Sequence, residues 1–229
     1  MEKDLILPFS IILSAILISC AVVYDSSDNE TFFPGEESIS LTVEIICGSG
    51  INEVVGTGFI TSHNDELIVL SNSHVVVTDG VENEDIYAIF YNSDERHLLN
   101  LISFDESLDI AVLRFNNYSM TTSFIFSDSM ELKYGQPTYA IGNSMGYGLS
   151  LSKGVISVPL VNIKYSGNER LMIQADIGLN RGGSGGPLLD ENGKVIGMMT
   201  FRLNSNEFVI QGMSYAIPSN VLVSYLDSQ

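Results

Sequence analysis

From Ile39 to the C-terminus, short apolar runs alternate with turns rich in Gly, Asn, Asp and Ser. Runs of this length, bounded by turn-forming residues, are typical of β-strands. The strand-like runs are Leu41–Cys47, Gly58–Thr61, Leu67–Ser71, Ile86–Tyr91, Ala111–Phe115, Thr138–Ile141, Gly154–Val158 and Leu171–Ala175. Their number and regular spacing predict an all-β sandwich or barrel over residues 39–229.

The last apolar run, from Ser219 to Leu226, has a helical spacing of apolar positions instead. Pro218 precedes it, and Ser219 or Asn220 is suited to act as the N-cap, because a short polar side chain can accept from the first free N–H groups of a helix. We therefore expect a short C-terminal helix.

The N-terminus carries the pattern of a targeting signal. The apolar run Leu5–Ile18 is followed by Ser19 and Cys20, which together resemble a bacterial lipobox. This resemblance implies a lipoprotein-type signal peptide over residues 1–19, lipid attachment at Cys20 and a polar, acidic tether over residues 20–38. An uncleaved anchor over Leu5–Val23 is the alternative. Both interpretations place the domain outside the cytoplasm, tethered to the membrane.

The net charge limits the classes of partner that this protein is expected to bind. The formal net charge is -18, from 28 acidic and 10 basic residues, so nucleic acids and anionic membrane surfaces are poor electrostatic partners. Cationic or unfolded polypeptides fit better.

With Cys20 and Cys47 as the two cysteines, no disulfide framework is expected. Cys47 is interpreted as a small buried apolar residue.

The strongest chemical signal is Ser184, which lies among four glycines in the segment Asn180–Pro187. Glycine permits a tight backbone in which N–H groups turn toward one point, as an oxyanion hole requires. A flexible Gly/Ser linker is the alternative. Strand-like segments on both sides favour an ordered loop and therefore a catalytic nucleophile.

Residues 182–186 also match the G-x-S-x-G pattern of the α/β-hydrolase nucleophile elbow. In that fold the acid and the histidine follow the serine. All three histidines of this chain, His63, His74 and His97, precede Ser184. The remaining order of His, Asp and Ser is that of the two-barrel serine proteases of chymotrypsin type.

A serine nucleophile needs a histidine base, and the base needs an acid to orient it. His74 is the best candidate because it follows an apolar strand at a short polar turn, although a lone histidine is often structural. Asp109, at the mouth of an apolar strand, is the preferred acid. A turn-closing role for Asp109 is the alternative, and Asp105 and Asp176 are the competing acids. His63 and His97 are interpreted as surface residues.

These segments together resemble the HtrA/Deg family of serine proteases from about residue 54 to residue 222. The family motifs appear in order at Gly56–Ile60, Ser71–Val76, Leu108–Leu113, Phe126–Ser129, Ala140–Ser144, Gly154–Ser157, Gln174–Asp176 and Gly212–Asn220. The resemblance implies two six-stranded β-barrels of chymotrypsin type that meet near residues 128–135.

It further implies that Ser184 attacks the scissile carbonyl, that His74 transfers the proton and that Asp109 orients His74. The N–H groups of Gly182 and Ser184 would bind the oxyanion, and no metal or organic cofactor is implied. Substrate would pair as a strand beside the segment Met199–Arg202. The specificity pocket would lie near Gly178, with Thr200, Phe201 and Arg202 close by.

Three departures from the family pattern matter. The chain ends at Gln229, so we expect no regulation through a PDZ domain. The nucleophile segment Asn180–Ser184 has Arg181 in place of the family's proline and Gly183 in place of its asparagine, which predicts a looser oxyanion loop. Phe32 and Phe33 are the available aromatic residues for a homotrimer contact of the kind that the family commonly forms.

The sequence thus predicts an extracytoplasmic serine endopeptidase of HtrA/Deg type that cleaves unfolded or exported polypeptides in protein quality control. Two alternatives stay open. One is a catalytically weak protease fold that binds polypeptides as a chaperone or adhesin. The other is a narrow-specificity or glutamyl endopeptidase, for which Arg202 would supply the positive charge.

Overall fold

The computed structural model describes residues 34–48, 53–118, 120–165, 167–202 and 212–229. The side chains of Tyr165 and Arg202 are not part of this description. Cys20, the predicted signal peptide and the aromatic pair Phe32 and Phe33 lie outside the described residues.

Six strands of the N-terminal half close into a first barrel, in the order β1-β2-β3-β8-β7-β6. Its helices and strands are α1 (Glu36–Ser40), β1 (Thr42–Cys47), β2 (Val54–His63), β3 (Glu66–Ser71), α2 (Ser73–Val76), β4 (Val77–Thr78), β5 (Val81–Glu82), β6 (Tyr87–Phe90), β7 (Arg96–Asp105) and β8 (Ile110–Phe115). The short strands β4 and β5 pair only with each other.

Six further strands close the second barrel, in the order β10-β11-β14-β13-β12-β9. The chain runs through β9 (Pro137–Asn143), β10 (Leu149–Tyr165), β11 (Asn168–Asp176), β12 (Pro187–Leu189), β13 (Val195–Arg202), β14 (Ser214–Pro218) and α3 (Ser219–Asp227). The predicted architecture of two six-stranded barrels with a short C-terminal helix is therefore confirmed.

The side chains of the strands pack into three apolar cores. Side chains of a strand point alternately to its two faces, and β3 shows the result: Val69 packs inside the first barrel, whereas Ile68 and Leu70 pack in a core shared by the two barrels. A third core fills the second barrel. Because both faces are buried, such strands read as continuous apolar runs in the sequence.

The linker between β8 and β9 fastens the barrels together. Phe124 forms an isolated bridge with Thr61 of β2, and Phe126 forms one with Val195 of β13. The junction expected at residues 128–135 lies in this linker, where a 3-10 turn spans Ser129–Glu131.

The C-terminal helix begins at Ser219, but the expected N-cap contact is absent. The N-cap position is Pro218, and neither Ser219 nor Asn220 caps the helix with its side chain. The Ser219 hydroxyl instead donates to the carbonyl of Ser127 at 2.6 Å, and Asn220 Oδ1 accepts from the N–H of Ser129 at 2.9 Å. The side chains of Ser219 and Asn220, which the sequence predicted as N-caps, instead form hydrogen bonds with the linker.

The polar segment expected to end at residue 38 already contains structure. Helix α1 includes Ser38, which is buried and whose carbonyl accepts from the hydroxyl of Thr42 at 3.0 Å. Ile39 and Leu41 draw this turn onto the shared core. Within the described residues, no helix is long and apolar enough to cross a membrane.

Candidate active site

A cavity of about 710 Å³ lies between the two barrels. His74 and Asp109 reach it from the first barrel, and Ser184 reaches it from the second. The structure therefore brings together the three residues that the sequence singled out, from positions far apart in the chain.

The imidazole of His74 is held by the carboxylate of Asp109. Helix α2 starts directly after β3, which places His74 in its first turn. His74 Nδ1 lies 2.9 Å from Oδ1 and 3.0 Å from Oδ2 of Asp109. Because a carboxylate accepts, Nδ1 carries the proton, and Nε2 of the neutral ring is left as the acceptor that a general base needs.

Asp109 is buried, with 5% of its surface exposed. Its carboxylate also accepts from the hydroxyl of Thr200 at 2.5 Å and from the hydroxyl of Ser73 at 3.1 Å. Its carbonyl accepts from Asn72 Nδ2 at 2.9 Å, and its φ of 62° is left-handed, which aspartate tolerates better than most residues. The turn-closing alternative thus gives way to a carboxylate directed at His74.

Two opposing effects act on the pKa of Asp109. Burial raises it, whereas the hydrogen bond from His74, the electrostatic interaction with His74 and the hydrogen bond from Thr200 lower it. The net result is a pKa below the ordinary value for aspartate. Asp109 is therefore ionised at neutral pH, as the orienting role predicted for it requires.

The hydroxyl of Ser184 donates to the carbonyl of Thr200 at 2.7 Å, and not to His74. The loop around it is anchored on both sides, by Thr57 N–H donating to Ser184 O at 2.9 Å and Gly185 N–H donating to Met199 O at 2.8 Å. Gly185 has φ +87°, and a Cβ there would lie 2.1 Å from the carbonyl oxygen of Thr57. Only glycine fits at that position.

The expected oxyanion donors lie in a loop with defined geometry. Gly182 has φ +94°, and its carbonyl accepts from the hydroxyl of Thr57 at 2.7 Å. The carbonyl of Arg181 is held by the N–H of Met145 at 2.7 Å, while Gly183 N–H is used by Asn180 O at 3.0 Å. Among the described residues, no backbone carbonyl accepts from the N–H of Gly182 or of Ser184. These are the two groups assigned to the oxyanion hole.

Some of the residues expected to set specificity line the cavity and others do not. Thr200 and Phe201 line the cavity, and Phe201 stacks on Tyr215 with 5.2 Å between ring centroids. Gly178 is exposed and is not among the cavity-lining residues, whereas Leu179, which follows it, is. The side chain of Arg202 and residues 203–211 lie outside the described residues.

One interpretation from the sequence is corrected by the structure. His97 was expected at the surface, but its side chain is only 16% exposed and packs edge-on against Phe90 with 5.2 Å between ring centroids. Its position in β7 explains this, since Phe90 lies on the neighbouring strand β6. His63, whose Nδ1 lies 3.9 Å from Asp227 Oδ1, is 25% exposed.

Cys47 behaves as the sequence predicted. It is buried, and burial raises the pKa of its thiol to about 12 despite a hydrogen bond with Asn83. A thiol in this state is inert at neutral pH. Among the described residues, no group of three or more His, Cys, Asp or Glu side chains could hold a metal ion.

Sequence reasoning missed Thr57 and Asn143 as supports of the nucleophile loop. The Thr57 hydroxyl accepts from Asn143 N–H at 3.0 Å while it donates to Gly182 O. Thr57 stood in a recognised strand motif, but no local pattern shows that its hydroxyl points at a loop 125 residues away.

Comparisons with known proteins agree with this geometry. The family model described as a trypsin-like peptidase domain matches residues 56–198. Periplasmic serine endoprotease DegP of Escherichia coli (strain K12) is 33% identical over 175 residues, which cover 76% of this chain and 35% of DegP. Serine protease Do-like HtrA of Lactobacillus helveticus is 30% identical over 178 residues, covering 75% of this chain and 42% of that protein.

Solved structures show the same likeness. The structure described as HtrA-type protease AlgW with tripeptide is similar with a TM-score of 0.72 at 25% identity, and the match covers 83% of this chain and 60% of the AlgW chain. This chain spans less than half the length of the two curated relatives named above. Its sequence and fold place it in the family of trypsin-like peptidase domains, and within that family it is of the HtrA/Deg type.

Proposed function

We propose that this protein is a serine endopeptidase that cleaves unfolded or exported polypeptides through an acyl-enzyme. The observation that carries the proposal is the convergence on one cavity of Ser184 with the hydrogen-bonded pair of His74 and Asp109. The relatives are named serine proteases or endoproteases. We propose no cofactor, since this chemistry uses side chains and backbone N–H groups alone.

In the proposed mechanism, Ser184 Oγ attacks the scissile carbonyl as its proton passes to Nε2 of His74. Asp109 stabilises the imidazolium, and the N–H groups of Gly182 and Ser184 bind the oxyanion. His74 then gives its proton to the leaving amine, and the acyl-enzyme forms. Water, deprotonated by His74, attacks the acyl carbon and releases Ser184.

The contact between Ser184 and the Thr200 carbonyl defines a resting arrangement. A substrate strand that pairs beside Met199–Arg202 offers its own N–H groups to this edge. When one of them takes over the Thr200 carbonyl, the Ser184 hydroxyl is released and can rotate toward His74. Substrate binding thereby completes the hydrogen-bond chain of the triad.

We further propose an extracytoplasmic location with lipid attachment at Cys20. The periplasmic location in the names of DegP-type relatives supports the compartment, and the lipobox-like segment before Cys20 supports the tether. A homotrimer formed through Phe32 and Phe33 is the proposed assembly. Sedimentation of the full chain that gives a monomer at working concentrations would remove the trimer.

A second candidate function is polypeptide binding without turnover. It is favoured by one observation, the Ser184 hydroxyl turned away from His74. A glutamyl endopeptidase on the same fold is distinguished by substrate choice. Peptides with Val, Lys or Glu before the cut, compared under one condition, separate it from a protease that prefers small aliphatic residues.

The deciding experiment compares the full chain with Ser184→Ala, using cleavage of unfolded casein and labelling by a fluorophosphonate. Ser224→Ala is the matched control, because Ser224 is an exposed serine on α3. We expect cleavage and labelling in the parent and the control, and neither in Ser184→Ala. A folded parent that binds casein but neither cleaves it nor is labelled would establish the second candidate instead.

A further inference from the structure

Arg170 is a buried arginine of the second barrel that lies against the triad aspartate of the first. It stands on β11, its side chain is only 8% exposed, and it lines the active-site cavity. Its Nη1 lies 3.8 Å from Oδ2 of Asp109. Nothing in the nucleophile or histidine segments of the sequence points to it.

The same side chain also holds the turn that carries Asp109. Arg170 Nη2 donates to the carbonyl of Glu106 at 3.0 Å. That turn is closed from within by Asp105, whose Oδ1 accepts from the N–H of Leu108 at 2.9 Å. Arg170 therefore fastens the Asp109 turn to the opposite barrel, through one charge-assisted hydrogen bond and one ion pair.

Burying a guanidinium is unfavourable unless its charge and donors find partners. Among the described residues, Arg170 Nε has no hydrogen-bond partner although it is buried. The side chain thus has an N–H donor without a partner at the site. The negative charge with which Arg170 forms an ion pair is the buried carboxylate of Asp109. Such an arrangement is unfavourable as a purely structural feature and points to a role in the chemistry.

We infer that Arg170 is a positioning residue of the triad, which holds the Asp109 turn and whose positive charge offsets part of the negative charge that Asp109 directs at His74. This inference rests on the proposed function. Its consequence is that removing the charge of Arg170 changes the pH dependence of kcat/KM, which the loss of a purely structural residue would not do.

The other charged groups around the site are accounted for. Asp79 lines the cavity from the loop between β4 and β5, Glu106 from the Asp109 turn and Arg181 from the nucleophile loop. Asp105 lies in the same turn and accepts hydrogen bonds within it, and the positive charge of Arg170 also contributes to holding the pKa of Asp105 below its ordinary value. Of the two arginines, Arg170 is the one in an ion pair with Asp109.

The test is the pH profile of kcat/KM for the full chain and for Arg170→Gln, Arg170→Met and Arg170→Lys. In the two neutral variants, we expect the acid limb to move to higher pH, because the negative charge of Asp109 is then no longer offset. Arg170→Lys keeps the charge and should keep the parent's acid limb, with a lower kcat because the forked contact to the turn is lost. Arg114→Gln, at an exposed arginine of β8 paired with Glu66, is the matched control and should leave the profile unchanged.

The outcomes separate this inference from the proposed function. An inactive parent that fluorophosphonate does not label removes the proposed function itself. An active parent whose acid limb does not move in folded Arg170→Gln or Arg170→Met overturns the role of Arg170. If neither neutral variant folds while Arg170→Lys does, Arg170 serves the stability of the fold, and the positioning role is likewise overturned.

Discussion

At the scale of single residues, Thr200 has a larger role than its expected place beside the specificity pocket. Its hydroxyl donates to Asp109, and its carbonyl accepts from Ser184. One residue of β13 thus contacts both Asp109, the proposed acid, and Ser184, the proposed nucleophile. Its side chain and its main chain act on opposite ends of the proposed proton path.

Thr200→Val should lower kcat/KM by roughly ten- to a hundredfold, because a hydrogen bond to a charged group contributes about 1.5 to 3 kcal/mol and Asp109 would lose one. The substitution keeps the shape of the side chain, and the measurement is steady-state cleavage of a peptide substrate. Thr61→Val is the control, since the Thr61 hydroxyl is also buried but donates to Phe124 O at 3.0 Å, in the linker between the barrels. It should lose thermal stability and keep its activity. Equal losses of activity in both variants would contradict the role of Thr200.

At the scale of elements, a contact between β1 and β9 supports the loop that carries Gly182. Asn143 Nδ2 donates to Oε2 of Glu44 at 2.5 Å, and Asn143 Oδ1 accepts from Gly148 N–H at 3.1 Å. The 3-10 turn Ser144–Gly146 follows directly, and its Met145 holds the carbonyl of Arg181. A strand of the first barrel is thereby connected to the residue next to Gly182.

Burial raises the pKa of Glu44 above its ordinary value of 4.5. At neutral pH the folded state therefore bears the cost of an ionised, partly buried carboxylate, and this cost is relieved as pH falls through the raised pKa. Glu44→Gln should raise Tm at pH 7, and the gain should disappear below pH 4.5. Thermal unfolding across this pH range is the measurement. Glu84→Gln, at an exposed acid, should show no such dependence, and a gain for Glu44→Gln that does not change with pH would contradict the explanation.

At the scale of the whole molecule, the candidate active site lies where the two barrels meet. His74 and Asp109 belong to the first barrel, whereas Ser184 and Thr200 belong to the second. The shared core, with Phe59 and Leu70 from one side and Ile141 and Met172 from the other, fixes their separation. Catalytic geometry is thus a property of the barrel interface.

The net charge of -18 belongs to this scale as well. We expect kcat/KM for an unfolded cationic substrate to fall by about tenfold relative to an uncharged peptide when ionic strength rises, because screening removes long-range attraction. The comparison is made between about 0.1 M salt, where the Debye length is about 10 Å, and about 1 M, where it is about 3 Å. An unchanged ratio between the two substrates would show that charge does not guide substrate to the site.

Element prediction from the sequence was accurate where strands are buried on both faces and weaker elsewhere. The run Leu67–Ser71 differs from β3 by one residue. Strand β7, in contrast, was missed, because its exposed positions include Arg96 and Asn100 and its apolar content is scattered. Partners on β6 and β8 stabilise it through ladder hydrogen bonds, and such partners are invisible to a local pattern.

The sequence by itself predicted the three residues that meet at the cavity, because the glycine-flanked Ser184 and the segments around His74 and Asp109 are local patterns with a local physical meaning. It also determined the all-β class through the period of its apolar runs. The tertiary structure alone decided how the Ser184 hydroxyl is bonded, that Thr200 and Arg170 touch Asp109 and that Thr57 supports Gly182. These contacts join residues distant along the chain, and their energies depend on burial and on separations that only the packing of two barrels sets.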